Sequence, residues 1–172
     1  MSTAPFDPQA LRRALGAFAT GVTVVTVGGR VPHGMTANSF TSVSLDPPLV
    51  LVCVEQNAVM HEALATAGQF AVSVLSSAHA ETARYFADRR RPLGAEQFVP
   101  VGWRPGEHTG APLITGALAH FECAVWRRYD GGDHTIFLGR VLGLGSGGPE
   151  EGLLFHRGRL CSVAPDPSGV AA

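Results

Sequence analysis

Apolar positions along the chain recur first with a helical period and then with the period of a strand. Leu11, Ala14, Leu15 and Phe18 follow Asp7-Pro8 at helical spacing, which predicts a helix starting at Pro8 under an Asp7 cap and packing one face on a core. From Thr20 the period changes. Residues 22–27 form a β-branched run, and Gly28-Gly29 turns it into a second extended segment over residues 33–45, so a hairpin is expected. Asp46-Pro47-Pro48 breaks the chain before residues 49–54, whose all-apolar sequence predicts a strand buried on both faces. A short helix is expected over residues 58–67, capped by Asn57 and ended by Gly68. A strand over residues 70–75 follows, then a helix from a Ser77 cap to about Asp88.

Residues 89–116 are rich in Arg, Pro and Gly and predict a long excursion over the surface. Strands resume over residues 117–128 and 134–144 around Asp130-Gly131-Gly132-Asp133, a strong hairpin turn signal. A last pair, residues 153–155 and 160–163, flanks Arg157-Gly158. About eight antiparallel strands with two or three inserted helices describe a mostly β (α+β) fold, a closed or partly open barrel. The 172 residues suit a single domain, with an ordered core over about residues 7–163 and a frayed tail over 164–172.

Composition narrows the function classes. Thirteen Lys and Arg against 14 Asp and Glu give a net charge of -1, so no positive field is available for a nucleic acid or an anionic membrane. The longest apolar stretches are strand-length and the N-terminus does not resemble a signal peptide, which makes a soluble, cytoplasmic location the expectation. Cys53, Cys123 and Cys161 are odd in number and widely spaced, arguing for buried free thiols over a disulfide framework or a C-x-x-C zinc site. The His residues form no H-x-H or H-E-x-x-H pair, so no metal is expected. Gly143, Gly145 and Gly148 spell G-x-G-x-x-G, but no helix follows and the motif reads as a glycine-rich turn.

Residues 34–48, GMTANSFTSVSLDPP, carry unusually many small polar side chains for a barrel strand. Thr36 and Asn38 would share one face, Ala37 and Ser39 the other. Two readings stand: a solvated edge strand, or a groove of small donors and acceptors beside a flat polar ring.

Thr20-Gly21-Val22-Thr23-Val24-Val25-Thr26, then Gly34-Met35-Thr36-Ala37-Asn38-Ser39 running into Ser42-Val43-Ser44-Leu45-Asp46-Pro47-Pro48-Leu49-Val50, resemble the short-chain flavin reductases that serve two-component flavin monooxygenases. Further blocks in the same order are Phe70-Ala71-Val72-Ser73-Val74-Leu75, Pro112-Leu113-Ile114, Gly131-Gly132-Asp133-His134 and Leu153-Leu154-Phe155-His156-Arg157-Gly158. The resemblance implies an FMN-binding split β-barrel homodimer that takes FMN or FAD, is reduced by NADH or NADPH, and hands reduced flavin to a partner monooxygenase. It places Met35, Thr36, Ala37, Asn38 and Ser39 against the flavin ring and ribityl chain, with Cys53, Val54 and Glu55 opposite, and the phosphate near Val59 and Met60 at a helix N-terminus. Tyr85 and Phe86 occupy the family's aromatic position, and His134, Phe155, His156, Arg157 and Gly158 match positions that hold the nicotinamide nucleotide. No catalytic side chain is implied, because the cofactors carry the hydride chemistry.

One departure concerns the phosphate. Relatives often carry a basic residue and hydroxyls after this strand, whereas Glu55-Gln56-Asn57-Ala58-Val59-Met60 has none, and weak phosphate contact is the expectation. The run Arg89-Arg90-Arg91 reads as a solvated helix end, with a partner or the extra phosphate of NADPH as alternatives. Two other functions remain open: an FMN-retaining, pyridoxamine-phosphate-oxidase-like enzyme, and a non-catalytic flavin-binding module.

Overall fold

A computed structural model describes residues 6–163. Helix α1 (Pro8–Leu15) leads into the short β1 (Thr20–Gly21), β2 (Thr23–Val27), β3 (His33–Ala37), β4 (Thr41–Leu45) and β5 (Pro48–Glu55). Helix α2 (Val59–Ala67), β6 (Gln69–Val74) and a 3-10 turn (Ser77–His79) running into α3 (Ala80–Ala87) come next. A second 3-10 helix (Gly94–Phe98), β7 (Trp103–Pro105) and β8 (Pro112–Ile114) precede the long hairpin of β9 (Ala119–Gly131) and β10 (His134–Ser146). The small hairpin of β11 (Leu153–His156) and β12 (Arg159–Ser162) follows. The expected tail lies outside the described residues.

Seven antiparallel strands form the main sheet in the order β3-β2-β6-β9-β10-β5-β4, so its two edge strands are consecutive in sequence. Residues 38–40 cross from one edge to the other. The seam is drawn together by Ser39, whose hydroxyl donates to the Cys53 carbonyl and accepts from the Cys53 N–H, both at 3.0 Å. The curled sheet encloses one core cluster around Val25, Val52, Val54, Phe70, Val72 and Phe137, with Met60 and Leu64 of α2 plugging it. A second cluster, including Val22, Val24, Phe86, Phe98 and Ile114, lies beneath α3 and the second 3-10 helix. Strand β2 is buried throughout because both clusters use it. Its Thr23 and Thr26 hydroxyls donate to the carbonyls of Ala37 (2.8 Å) and Pro112 (2.6 Å), so these polar groups are not left unpaired.

Several expectations need correcting. The extended segment over residues 33–45 is two strands on opposite edges, broken where Phe40 turns to pack near Phe121 (ring centroids 5.5 Å apart). Strand β5 is buried on one face only: Val50, Val52 and Val54 are buried, while Leu51, Cys53 and Glu55 are half-open. Helix α2 starts after Ala58, not Asn57, and among the described residues no side chain caps it; Gly68 does end it, in the left-handed region. Ser76, not Ser77, caps the next turn, its hydroxyl 2.8 Å from His79 Nδ1. Residues 89–116 are not a bare loop, since Gln97, Phe98, Ala111, Leu113 and Ile114 are buried. Gly143 and Gly145 lie within β10, and Cys161 is exposed. Helix α1 buries nothing among the described residues: Leu11, Leu15 and Phe18 stay 47%, 66% and 78% exposed.

Loop residues 106–111 are pinned to the sheet by Glu122. Its carboxylate accepts from the N–H groups of Glu107 (3.1 Å), His108 (2.9 Å) and Thr109 (2.7 Å) and from the Thr109 hydroxyl (2.8 Å). Burial works against its charge, but these hydrogen bonds outweigh it and hold the carboxyl below the ordinary glutamate range.

Candidate active site

A cavity of about 390 Å³ opens between the edge strand β3, the end of β5, the start of α2 and the end of α3. It brings together Met35, Thr36, Ala37, Asn38, Ser39, Cys53, Glu55, Val59, Met60, Phe86 and His134 from the sequence reading. It adds His33, Asn57, Ala58, Ala87 and Leu93, which that reading did not assign to a site, and Arg89 and Arg91, for which binding was only the alternative to a solvated helix end. Val54 is absent from the lining because its side chain is fully buried in the barrel core. Tyr85 lies in a separate groove with Glu81, Arg84, Asp88 and Arg90.

A second cavity of about 620 Å³ shares Thr36, Asn38 and Ala87 with the first and is otherwise lined by Val22, Ala83, Arg84, Phe155, Gly158, Arg159 and Leu160. The two form one cleft divided by the end of β3. Arg157 and Gly158 shape the tight β11–β12 turn, both at positive φ (49° and 78°), and line a groove against Arg12 and Arg13 of α1. His156 is half-buried in β11 and lines neither half of the cleft.

The groove of small polar side chains is real, but its chemistry differs from the expectation. The Thr36 hydroxyl donates to the Ala83 carbonyl of α3 at 2.7 Å, and the Ser39 hydroxyl serves the seam. Asn38, exposed at the divide, is left with its side-chain amide unengaged among the described residues. Backbone supplies the rest. Among the described residues strand β3 pairs only with β2, and its outward edge is marked by Gly34, whose N–H donates to Gln97 Oε1 at 2.9 Å. The two-residue period puts the N–H and C=O of Thr36 on that same open edge.

Gly34 also admits Phe86. A Cβ there would sit 2.7 Å from Phe86 Cε1, closer than side chains approach, so only glycine lets the ring slide under β3. The Arg91 guanidinium lies 5.8 Å above that ring and donates to the carbonyls of Asp88 (2.7 Å) and Gly34. Its Nε is buried without a partner among the described residues. His33, buried beside it, is pushed down to about 4 by desolvation and by the Arg91 charge, so it is neutral at physiological pH.

The arginine run therefore splits three ways. Arg90 is solvated, clamping Asp88 through Nε and NH2 at 3.1 and 2.9 Å. Arg89 pairs with Glu55 at 2.5 Å, and Arg91 turns inward. Arg89 and Arg91, remote in sequence from the cation-free stretch between Glu55 and Met60, line the same cavity as the α2 N-terminus. Gln56 takes no part, because its side chain donates to the Gly132 carbonyl of the β9–β10 turn at 3.0 Å. Cys53 has its thiol pushed up by burial and stays protonated, so it is a packing group. His134, opposite Glu55 in the β10–β5 ladder, holds Asp133 through Nδ1 at 2.7 Å while its ring lines the cavity.

A curled antiparallel sheet with a polar-edged, cationic cleft across its seam matches one class of protein throughout: the chain belongs to the flavin reductase like domain family, matched over residues 15–164. It is a flavin reductase, an oxidoreductase of the split-barrel type. It is 59% identical over 162 residues to an NADH-dependent FAD reductase of Streptomyces globisporus, covering 94% of this chain and 89% of that protein. The solved structure of the Streptomyces globisporus C-1027 NADH:FAD oxidoreductase SgcE6, in complex with NAD and FAD fragments, gives a TM-score of 0.90 at 55% identity, covering 97% of this chain and 99% of that one. BorF, the flavin reductase component of a bacterial two-component tryptophan halogenase, gives 0.89 at 53% identity, covering 93% and 100%. No described helix is long and apolar enough to cross a membrane.

Proposed function

We propose that the chain uses NADH to reduce FAD in the divided cleft and releases the reduced flavin to a partner oxygenase, acting as a homodimer in the cytoplasm. The placement of Arg89, Arg91 and the uncapped α2 N-terminus on one cavity carries this reading, since together they form a site for an anionic flavin tail. The names of the Streptomyces relatives favour FAD and NADH over FMN and NADPH. When bound, the flavin accepts a hydride from the reduced nucleotide, chemistry that belongs to the two cofactors.

The chain's own residues align and bind. The open backbone edge at Thr36 and the Asn38 amide face the ring's polar atoms, and Arg91, fixed by two carbonyls, presents a charge that needs no reorganisation. His134 sits at the mouth, and Phe155 and Gly158 line the neighbouring half of the cleft, where a nucleotide would stack against the divide.

NADH oxidation by the purified protein should depend on added FAD. His134→Ala should raise the Michaelis constant for NADH about tenfold with the FAD constant nearly unchanged, the effect of losing one hydrogen bond to a charged group. A protein that keeps stoichiometric flavin through dialysis and needs none added would instead be the FMN-retaining type.

The dimer rests on α1, a helix with no buried residue of its own, whose Leu11 and Leu15 are exposed together with Phe18 just beyond its end. Sedimentation should give about twice 18.0 kDa. A monomer with full activity would remove the dimer from the mechanism.

A further inference from the structure

Glu55 ends β5 at the mouth of the first cavity, and Arg89 reaches it from beyond α3, NH2 to Oε2 at 2.5 Å. Both side chains line the cavity, and their contact joins two of its walls. Arg89 makes no other hydrogen bond among the described residues and is four-fifths exposed, whereas Arg91 is held in place by two carbonyls. Arg89 is the movable cation of the site. Glu55 cannot withdraw as easily, because its backbone is paired with His134 in the sheet and its carbonyl accepts from Ala58 N–H at the turn into α2.

Resting on the flavin reading above, we infer that Glu55 is an internal competitor for the flavin phosphate. A carboxylate presents a guanidinium with the same forked pair of acceptor oxygens as a phosphate. It holds Arg89 while no phosphate is present, yields it when the phosphate arrives, and takes it back as the flavin leaves. An ion pair this exposed is weak enough to exchange in this way. For an enzyme whose product is a free reduced flavin, such a group sets the release rate: at an association rate near 10⁶ per molar per second, release on a catalytic timescale of about 10 per second requires a dissociation constant of about 10 μM.

The test is titration of the full-length, flavin-free protein with riboflavin, FMN and FAD, followed by stopped-flow dissociation. Glu55→Gln should tighten FMN and FAD by about three- to tenfold, mostly through slower dissociation, and leave riboflavin, which has no phosphate, within about twofold. Arg89→Gln should weaken the same two ligands, and Glu55→Gln should add nothing in its background, because the cation competed for is gone. An equal shift for riboflavin, no shift for FMN and FAD, or additive effects in the double variant would overturn the competitor role while leaving the flavin site standing. Failure of the wild type to bind any of the three would overturn the flavin reading and this role with it.

Discussion

Replacing Glu122 with alanine is expected to destabilise the protein by about 3–4 kcal/mol, read as a lower urea midpoint at unchanged slope. The side chain is 6% exposed and takes three backbone N–H groups and one hydroxyl onto its two oxygens. Truncation leaves those donors in a site water does not readily reach, and loop residues 106–111 lose their tether. Glu122→Gln keeps the shape but accepts through a single oxygen, so it should fall between wild type and alanine. Its folded carboxyl lies below the ordinary glutamate value of about 4.3, so the contribution is fully present above that value and is lost as pH falls through the lowered one. The gap between wild type and Glu122→Gln should therefore narrow only in acid, and a gap that is constant with pH would rule out the charge as its source.

Arg91→Ala is expected to weaken FAD binding by about ten- to hundredfold and to cost about 2 kcal/mol of stability. Both effects come from one guanidinium, which faces the cavity while bonding the Gly34 and Asp88 carbonyls and covering the Phe86 ring. Arg91→Lys separates them. A lysine retains the charge, so FAD affinity should largely return, but a single ammonium on a flexible stem does not reproduce the planar fork, and the stability loss should persist. FAD titration by fluorescence quenching and urea unfolding read the two quantities independently. An Arg91→Ala protein with wild-type FAD affinity would remove this residue from the site.

The order of the strands was legible because turn chemistry and alternation are local. Gly132-Asp133 and Arg157-Gly158 close hairpins where expected, and residues 48–55 and 69–74 form strands within a residue or two of their predicted bounds. The break at residues 38–40 was not legible, because the alternation of polar and small residues runs through it undisturbed; what bends the chain is the contact of Phe40 with Phe121, 81 positions away. The site shows the same division. The stretch from Met35 to Ser39 does line a cavity, but the commitment of the Thr36 hydroxyl to Ala83, 47 residues on, depends on how α3 packs. A run of three arginines carries no local sign of which one turns inward. Arg91 does so because Gly34 leaves room for Phe86, and Phe86 gives the guanidinium a face to lie on. The apolar stripe of α1 was legible, but its expected packing on the core was not met: nothing among the described residues covers it.

Ser39 makes the barrel wall uneven in strength. Everywhere else around the sheet, neighbouring strands are stitched by runs of backbone rungs, up to twelve register pairs between β9 and β10. At the seam, one hydroxyl holding both the N–H and the C=O of Cys53 stands in for such a run. Parting the wall there breaks two hydrogen bonds, whereas parting it elsewhere requires unzipping a run of backbone rungs. The fold thus carries a built-in line of weakness at the residues that line the cleft. An opening there would widen the mouth of the cleft while the far wall keeps the register of the whole sheet.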